Sequence, residues 1–225
     1  MVRNILIVTA TEGEASGLKA LTQSPAGSTV FGGTRVDFLV TGIGTMSCAH
    51  ALMSYFHING RPDLAINAGI AGSYSATLKT GDSAVVWRDG FADFGIDDRG
   101  RFVTAAEAGL ISEAASPFTS GGWIDCSNKY MQKLKGRITF CTGITSDTVS
   151  GSAERITFLK NRFNPDIESM EGASFFYICA LEQVPFIAIR TVSNRVEERD
   201  RSSWNIPLAL ENLKETTRGI LTLLT

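Results

Sequence analysis

The sequence predicts a single α/β domain over residues 1–225, a three-layer α/β/α architecture around a central mixed, largely parallel twisted sheet. Three observations predict it. Short apolar runs rich in β-branched residues alternate along the chain with segments of helical apolar spacing. Glycines stand where several of these runs end. No linker, internal repeat or low-complexity tract divides the 225 residues.

Taken in order, residues 4–10 (Asn-Ile-Leu-Ile-Val-Thr-Ala) read as a strand buried on both faces. The polar turn Thr11-Glu-Gly-Glu14 comes next, then a helix over 15–21. Residues 34–41 alternate like a strand and lead into Gly42-Ile-Gly44, after which Thr45 can cap a helix reaching about His57. A strand over 63–67 ends in a second glycine turn, Ala68-Gly-Ile-Ala-Gly-Ser73. Further strands are predicted over 82–87, 137–141, 167–170 and 186–192, and helices over 153–161, 173–182 and 207–224. Residues 88–135 are glycine-rich and weakly periodic, and read as loops and excursions.

Composition narrows the function. Apolar residues at 44% and charged residues at 20% are enough to fill and solvate a globular core. A net charge of −2, with the basic residues scattered, offers no footprint for nucleic acid or an anionic membrane. No apolar run approaches the ~20 residues that span a bilayer, and the run at Ile5 to Val8 is too short for a signal peptide. Cys48, Cys126, Cys141 and Cys179 form no CxxC pair, and only His50 and His57 could join them on a metal. Buried, reduced thiols in a cytoplasmic protein without a metal or other cofactor are the expectation.

In a sheet of this kind ligands sit at the carboxyl ends of the strands. The polar residues just past strands are therefore the candidates: Glu14, the 42–44 turn, the 67–73 segment, Asp147, Glu171 and Asn194. Acids such as Glu12 and Glu14 ahead of a helix commonly just face its positive end, but a carboxylate there can also orient a water. The glycine turns either satisfy tight backbone or let N–H groups approach a ligand. Gly42-Ile-Gly44 has Ser47 where a dinucleotide fingerprint needs its third glycine. Asp93-Phe-Gly95 lacks the partner motifs of a kinase. Glu171, in Glu168-Ser-Met-Glu-Gly-Ala173, either caps the helix after it or accepts hydrogen bonds from ribose hydroxyls.

In their order and spacing these motifs resemble the purine nucleoside phosphorylase/nucleosidase superfamily, in particular its hydrolytic nucleosidases. The resemblance runs from Ala10-Thr-Glu-Gly-Glu14 through Gly42-Ile-Gly44, Asn67-Ala-Gly-Ile-Ala-Gly72, Leu78-Lys-Thr-Gly-Asp82 and Met170-Glu171 to Trp204. It implies that Glu14 activates the attacking water, Glu171 binds the ribose and Met170 packs beneath it. It places Ile43 and Trp204 at the 5′ substituent, and Phe94 where the partner of a homodimer closes that pocket. Ala71 and Gly72 lie in the ligand-facing glycine segment. Val149 and Ser150 fall near the base, although the stacking aromatic of relatives is absent at Val149. Where the methylthioadenosine nucleosidases end a strand in Ser-Asp, this chain has Ser193-Asn194. An amide donor suits a 6-oxopurine, whose N7 and O6 both accept, whereas adenine pairs an acceptor with a donor. Ser193-Asn-Arg-Val-Glu-Glu-Arg-Asp200 with Trp204 is most similar to the futalosine hydrolases, whose nucleoside carries a carboxyphenyl chain that Arg195, Arg199 or Arg201 can pair with. A methylthioadenosine/adenosylhomocysteine-type nucleosidase and a non-catalytic nucleoside-binding protein stay as alternatives.

Overall fold

The first apolar run becomes β1 (Asn4–Thr9), whose Ile5, Leu6, Ile7 and Val8 are fully buried. It lies between two parallel neighbours, β3 (Thr34–Val40) and β4 (Leu64–Ser73), with helices over the sheet faces. The computed structural model describes residues 2–22, 29–112, 115–198 and 200–225. Its other strands are β2 (Val30–Phe31), β5 (Ser83–Gly90), β6 (Gly95–Asp98), β7 (Arg101–Thr104), β8 (Trp123–Asp125), β9 (Thr139–Thr145), β10 (Ile167–Ser169) and β11 (Phe186–Arg195). Its α-helices are α1 (Glu12–Lys19), α2 (Thr45–Asn59), α3 (Lys129–Leu134), α4 (Ala153–Phe163), α5 (Gly172–Leu181) and α6 (Ile206–Leu224).

Among the described residues, nine strands form one mixed sheet in the order β10-β9-β5-β11-β4-β1-β3-β2, with β8 on β5. Four of the described helices pack as two pairs, α1 with α6 and α2 with α5, and α3 also meets α6. This is the three-layer α/β architecture expected. The closure of the sheet was not expected. β10 pairs in parallel with β9 and antiparallel with β4, so β4, β11, β5, β9 and β10 close into a ring. That closure sets Glu168 opposite Gly72 and brings distant stretches of sequence to one rim.

Three local expectations are corrected. The segment 67–73 is not a turn: β4 continues to Ser73, held by β11 on one side and by β10 at its end. Two ordered neighbours outweigh the weak strand propensity of its glycines. Thr45 does not cap α2. Gly44 occupies the cap position without a side chain, and Asp147 supplies the missing acceptor instead. Residues 88–135 also carry regular structure, namely the end of β5, the β6–β7 hairpin, β8 and α3.

The four cysteines are free and buried. No described helix is long and apolar enough to cross a membrane.

Candidate active site

Glu14 sits in the first turn of α1 and completes a capping box. Thr11 Oγ1 accepts from Glu14 N–H (3.3 Å), and Glu14 Oε2 accepts from the N–H groups of Ala10 (3.1 Å) and Thr11 (3.0 Å). The bland reading of this acid is therefore true, but it accounts for one oxygen only. Oε1 accepts from Ile70 N–H (3.0 Å) on β4. A Cβ on residue 69 would stand 2.9 Å from that oxygen, so glycine lets the carboxylate lie against the strand.

Beside it lies a group that sequence reasoning passed over. Arg190, 2% exposed, is the largest of the fully buried side chains. Its Nη1 donates to the carbonyls of Asn67 (3.2 Å) and Ile189 (3.1 Å), and its Nη2 to Asn67 Oδ1. Nη1 also lies 3.8 Å from the point over residue 69 that Glu14 crowds. The signal was available: an arginine inside the apolar run 186–192 must be paired, because an isolated charge is not tolerated in a core.

Glu171 holds the cap position of α5, yet its side chain caps nothing there. Its Oε1 instead accepts from Gly44 N–H (2.9 Å) in the Gly42-Ile43-Gly44 turn. Both glycines of that turn have positive φ, 84° and 94°, which other residues adopt only with strain. Burial raises the Glu171 carboxyl above the ordinary range, while the Gly44 bond and Arg190 pull it down and the charge of Glu14 pushes it up. Glu14, Glu171 and Arg190 thus form one buried electrostatic group.

A cavity of about 130 Å³ is lined by Ala71, Gly72, Val149, Ser150, Met170, Asn194 and Trp204, and by Ile70, whose N–H holds Glu14. β11 slips register against β4 between Val192 and Asn194, and this bulge at Ser193 re-aims the residues after it. Asn194 Oδ1 accepts from Ser193 Oγ (2.7 Å), and Nδ2 donates to the Arg195 carbonyl (2.8 Å). Each bond uses half of what that atom can offer, so one N–H on Nδ2 and one lone pair on Oδ1 are left. Glu168, also passed over, fixes the opposite wall: it accepts from Ser150 N–H (2.9 Å), Ser150 Oγ (2.5 Å) and Tyr74 Oη (2.9 Å).

The remaining candidates lie further out. Ile43 is 58% exposed in the glycine turn, and Phe94 is 46% exposed. Phe94 lines a separate cavity of about 600 Å³ with Thr45, Asp147 and Tyr177. The Arg195 guanidinium donates to the Ser75 carbonyl (2.7 Å) rather than lining the smaller cavity. Arg199 and the side chain of Arg201 lie outside the described residues. No described cluster of His, Cys, Asp and Glu could hold a metal ion.

Residues 4–222, nearly the whole sheet and both carboxylates, match the profile of one protein family. The chain belongs to the phosphorylase superfamily. Within the superfamily it is 27% identical over 197 residues to futalosine hydrolase of Thermus thermophilus, covering 84% of this chain and 82% of the relative. It is 26% identical over 185 residues to 5'-methylthioadenosine/S-adenosylhomocysteine nucleosidase of Buchnera aphidicola, covering 77% and 73%. The crystal structure of the Helicobacter pylori 5'-methylthioadenosine/S-adenosyl homocysteine nucleosidase superposes with a TM-score of 0.82 at 20% identity, covering 98% of each chain. That last likeness speaks for the superfamily fold.

Proposed function

We propose that this chain is a purine nucleoside hydrolase whose substrate is futalosine, which it cleaves with water to release hypoxanthine. The chemistry requires opposite charges to be stabilised at once, positive on the ribose and negative on the departing base. In this reading Glu14 orients a water and takes its proton as the water oxygen bonds the anomeric carbon. The C–N bond breaks with its electron pair leaving on the base, which takes a proton from water to become hypoxanthine while Glu14 returns its own to solvent. Glu171 accepts hydrogen bonds from the ribose hydroxyls and steadies the cationic sugar, with Met170 beneath it. Ile43 lies toward the 5′ substituent, Ala71, Gly72, Val149 and Ser150 toward the base. No metal or cofactor takes part.

Asn194 carries the choice of base. Its oxygen is engaged by Ser193 and its nitrogen faces the cavity end of β4. The N–H left on that nitrogen suits N7 or O6 of hypoxanthine, both of which accept, with the oxygen turned to Ser193. Nucleosidase names among the relatives support hydrolysis. So does the Glu14 carboxylate held on Ile70 N–H, a negative charge that would repel phosphate. The comparable identity to the methylthioadenosine/adenosylhomocysteine nucleosidases makes adenine nucleosides the second reading. The test is base release from futalosine, inosine and methylthioadenosine, with and without phosphate. Phosphate-independent release of hypoxanthine, fastest from futalosine, is expected. Preference for methylthioadenosine would transfer the assignment to the second reading, and strict phosphate dependence would sink hydrolysis altogether.

We further propose a homodimer in the cytoplasm. Ile43, Met46 and Phe94 leave apolar surface beside the site that a second copy would cover, and four free buried cysteines suit a reducing compartment.

A further inference from the structure

α5 begins at a carboxylate that does not serve it. The amides of its first turn are met by other groups: Gly172 N–H donates to Ser169 Oγ (3.3 Å) and Ala173 N–H to Thr145 Oγ1 (2.7 Å). Thr145 Oγ1 in turn donates to Asp89 Oδ1 (2.9 Å), which also accepts from Gly90 N–H (2.8 Å). Asp89 is 1% exposed and comes from β5, far from Glu171 in sequence. Its Oδ2 fills space that side chains at 143 and 172 would need: a Cβ at 143 would stand 2.8 Å from it, and one at 172 closer still. The carboxylate therefore lies directly against the start of α5, where the helix's positive end favours an anion.

This arrangement frees Glu171. A helix start with an unsatisfied Ala173 N–H would draw an acceptor inward, and the side chain at the cap position is the one that helix starts ordinarily use. We infer that Asp89 and Thr145 are positioning residues for Glu171: they satisfy the start of α5 and so leave the Glu171 carboxylate to reach Gly44 and the sugar. The sugar end of this inference rests on the nucleosidase reading above, while the Gly44 end does not.

Thr145→Val removes the relay hydroxyl at constant shape, and Thr145→Ser restores it. Two readouts decide. In the 15N-labelled full chain, the Gly44 amide proton of the wild type follows the titration of Glu171, and Glu171→Gln abolishes that response. In Thr145→Val the Gly44 resonance moves to the position it takes in Glu171→Gln and loses its titration, and in Thr145→Ser both return. In turnover, Thr145→Val lowers kcat about tenfold, and in the Glu171→Gln background by no more than about twofold, because residues acting through one group are not additive. A Gly44 resonance unchanged in Thr145→Val, or losses that multiply in the double variant, would overturn the inference. Should Thr145→Val fail to fold, Asp89→Asn is compared in the same two ways. If the wild type cleaves no purine nucleoside, the nucleosidase reading falls, and the Gly44 comparison still decides the relay.

Discussion

Glu14 spends one oxygen on the capping box of α1 and the other on Ile70 of β4, so two elements fix its carboxylate before any ligand arrives. Glu14→Gln and Glu171→Gln keep the shape of both side chains. Each is expected to leave a folded protein and to lower turnover by about a hundredfold or more, the scale of losing a general base or a charge aimed at the transition state. Steady-state base release measures it. Near-normal rates in both variants would mean the site has been misassigned. Asn194→Asp should depress hypoxanthine release, since an ionised carboxylate has no donor and repels O6. The ratio of kcat/KM for the two bases, with the 5′ group held constant, should move toward adenine, because a mismatch leaves buried polar groups unpaired. Asp89 yields a pH prediction. Burial raises its pKa to about 7, against the pull of Thr145, Arg190 and Gly90 and with the push of Glu171. Cys141 also feels its charge. Between the ordinary carboxylate range and pH about 7 the folded chain binds more protons at this site than the unfolded one, so ionising it costs stability as pH rises. Asp89→Asn removes that cost. The Tm of the variant minus that of the wild type should therefore increase across this window, as thermal melts at several pH values would show.

At the scale of elements, the site depends on joints that no single segment specifies. Asp147, just past β9, accepts from Thr45 N–H (2.8 Å) and Thr45 Oγ1 (2.6 Å) and so caps α2 from a distance. Asp93 holds the same loop from the other side, accepting from Ser146 Oγ and Asp147 N–H, both at 2.8 Å. A cap supplied across 102 residues is invisible to local pattern, which is why Thr45 looked like the cap. Asp147→Ala should cost about 1 kcal/mol, the usual loss of a helix cap, read as a lower urea midpoint at constant slope. An unchanged midpoint would mean that water replaces the carboxylate. The strands behaved differently. β1 and β11 were legible because their runs are mostly apolar, interrupted in β11 by Arg190 and Thr191, and are buried on both faces. The β4 segment was misread because its glycines signal turns locally, while its pairing with β11 runs on to Ser73.

For the whole molecule, the exposed Ile43, Met46 and Phe94 predict self-association. Met46, 84% exposed at the start of α2, is the position at which to test it. Light scattering should give a dimer for the wild type and a shift toward monomer for Met46→Glu, and a monomeric wild type would remove the proposal. The sequence by itself determined the features that short-range physics governs: apolar periodicity set the α/β class, the run at 4–10 set β1, and carboxylates after strands set Glu14 and Glu171 as candidates. The tertiary structure alone decided which of these meet. Ring closure through β10 joins Glu168 to Ser150 and Gly72, and the buried Arg190 ties β11 to Asn67 on β4. Asp89 reaches the start of α5 through Thr145. These are pairings between distant segments, fixed by the need to satisfy buried charge and helix ends once the core excludes water, and local sequence carries no record of a partner that only folding brings near.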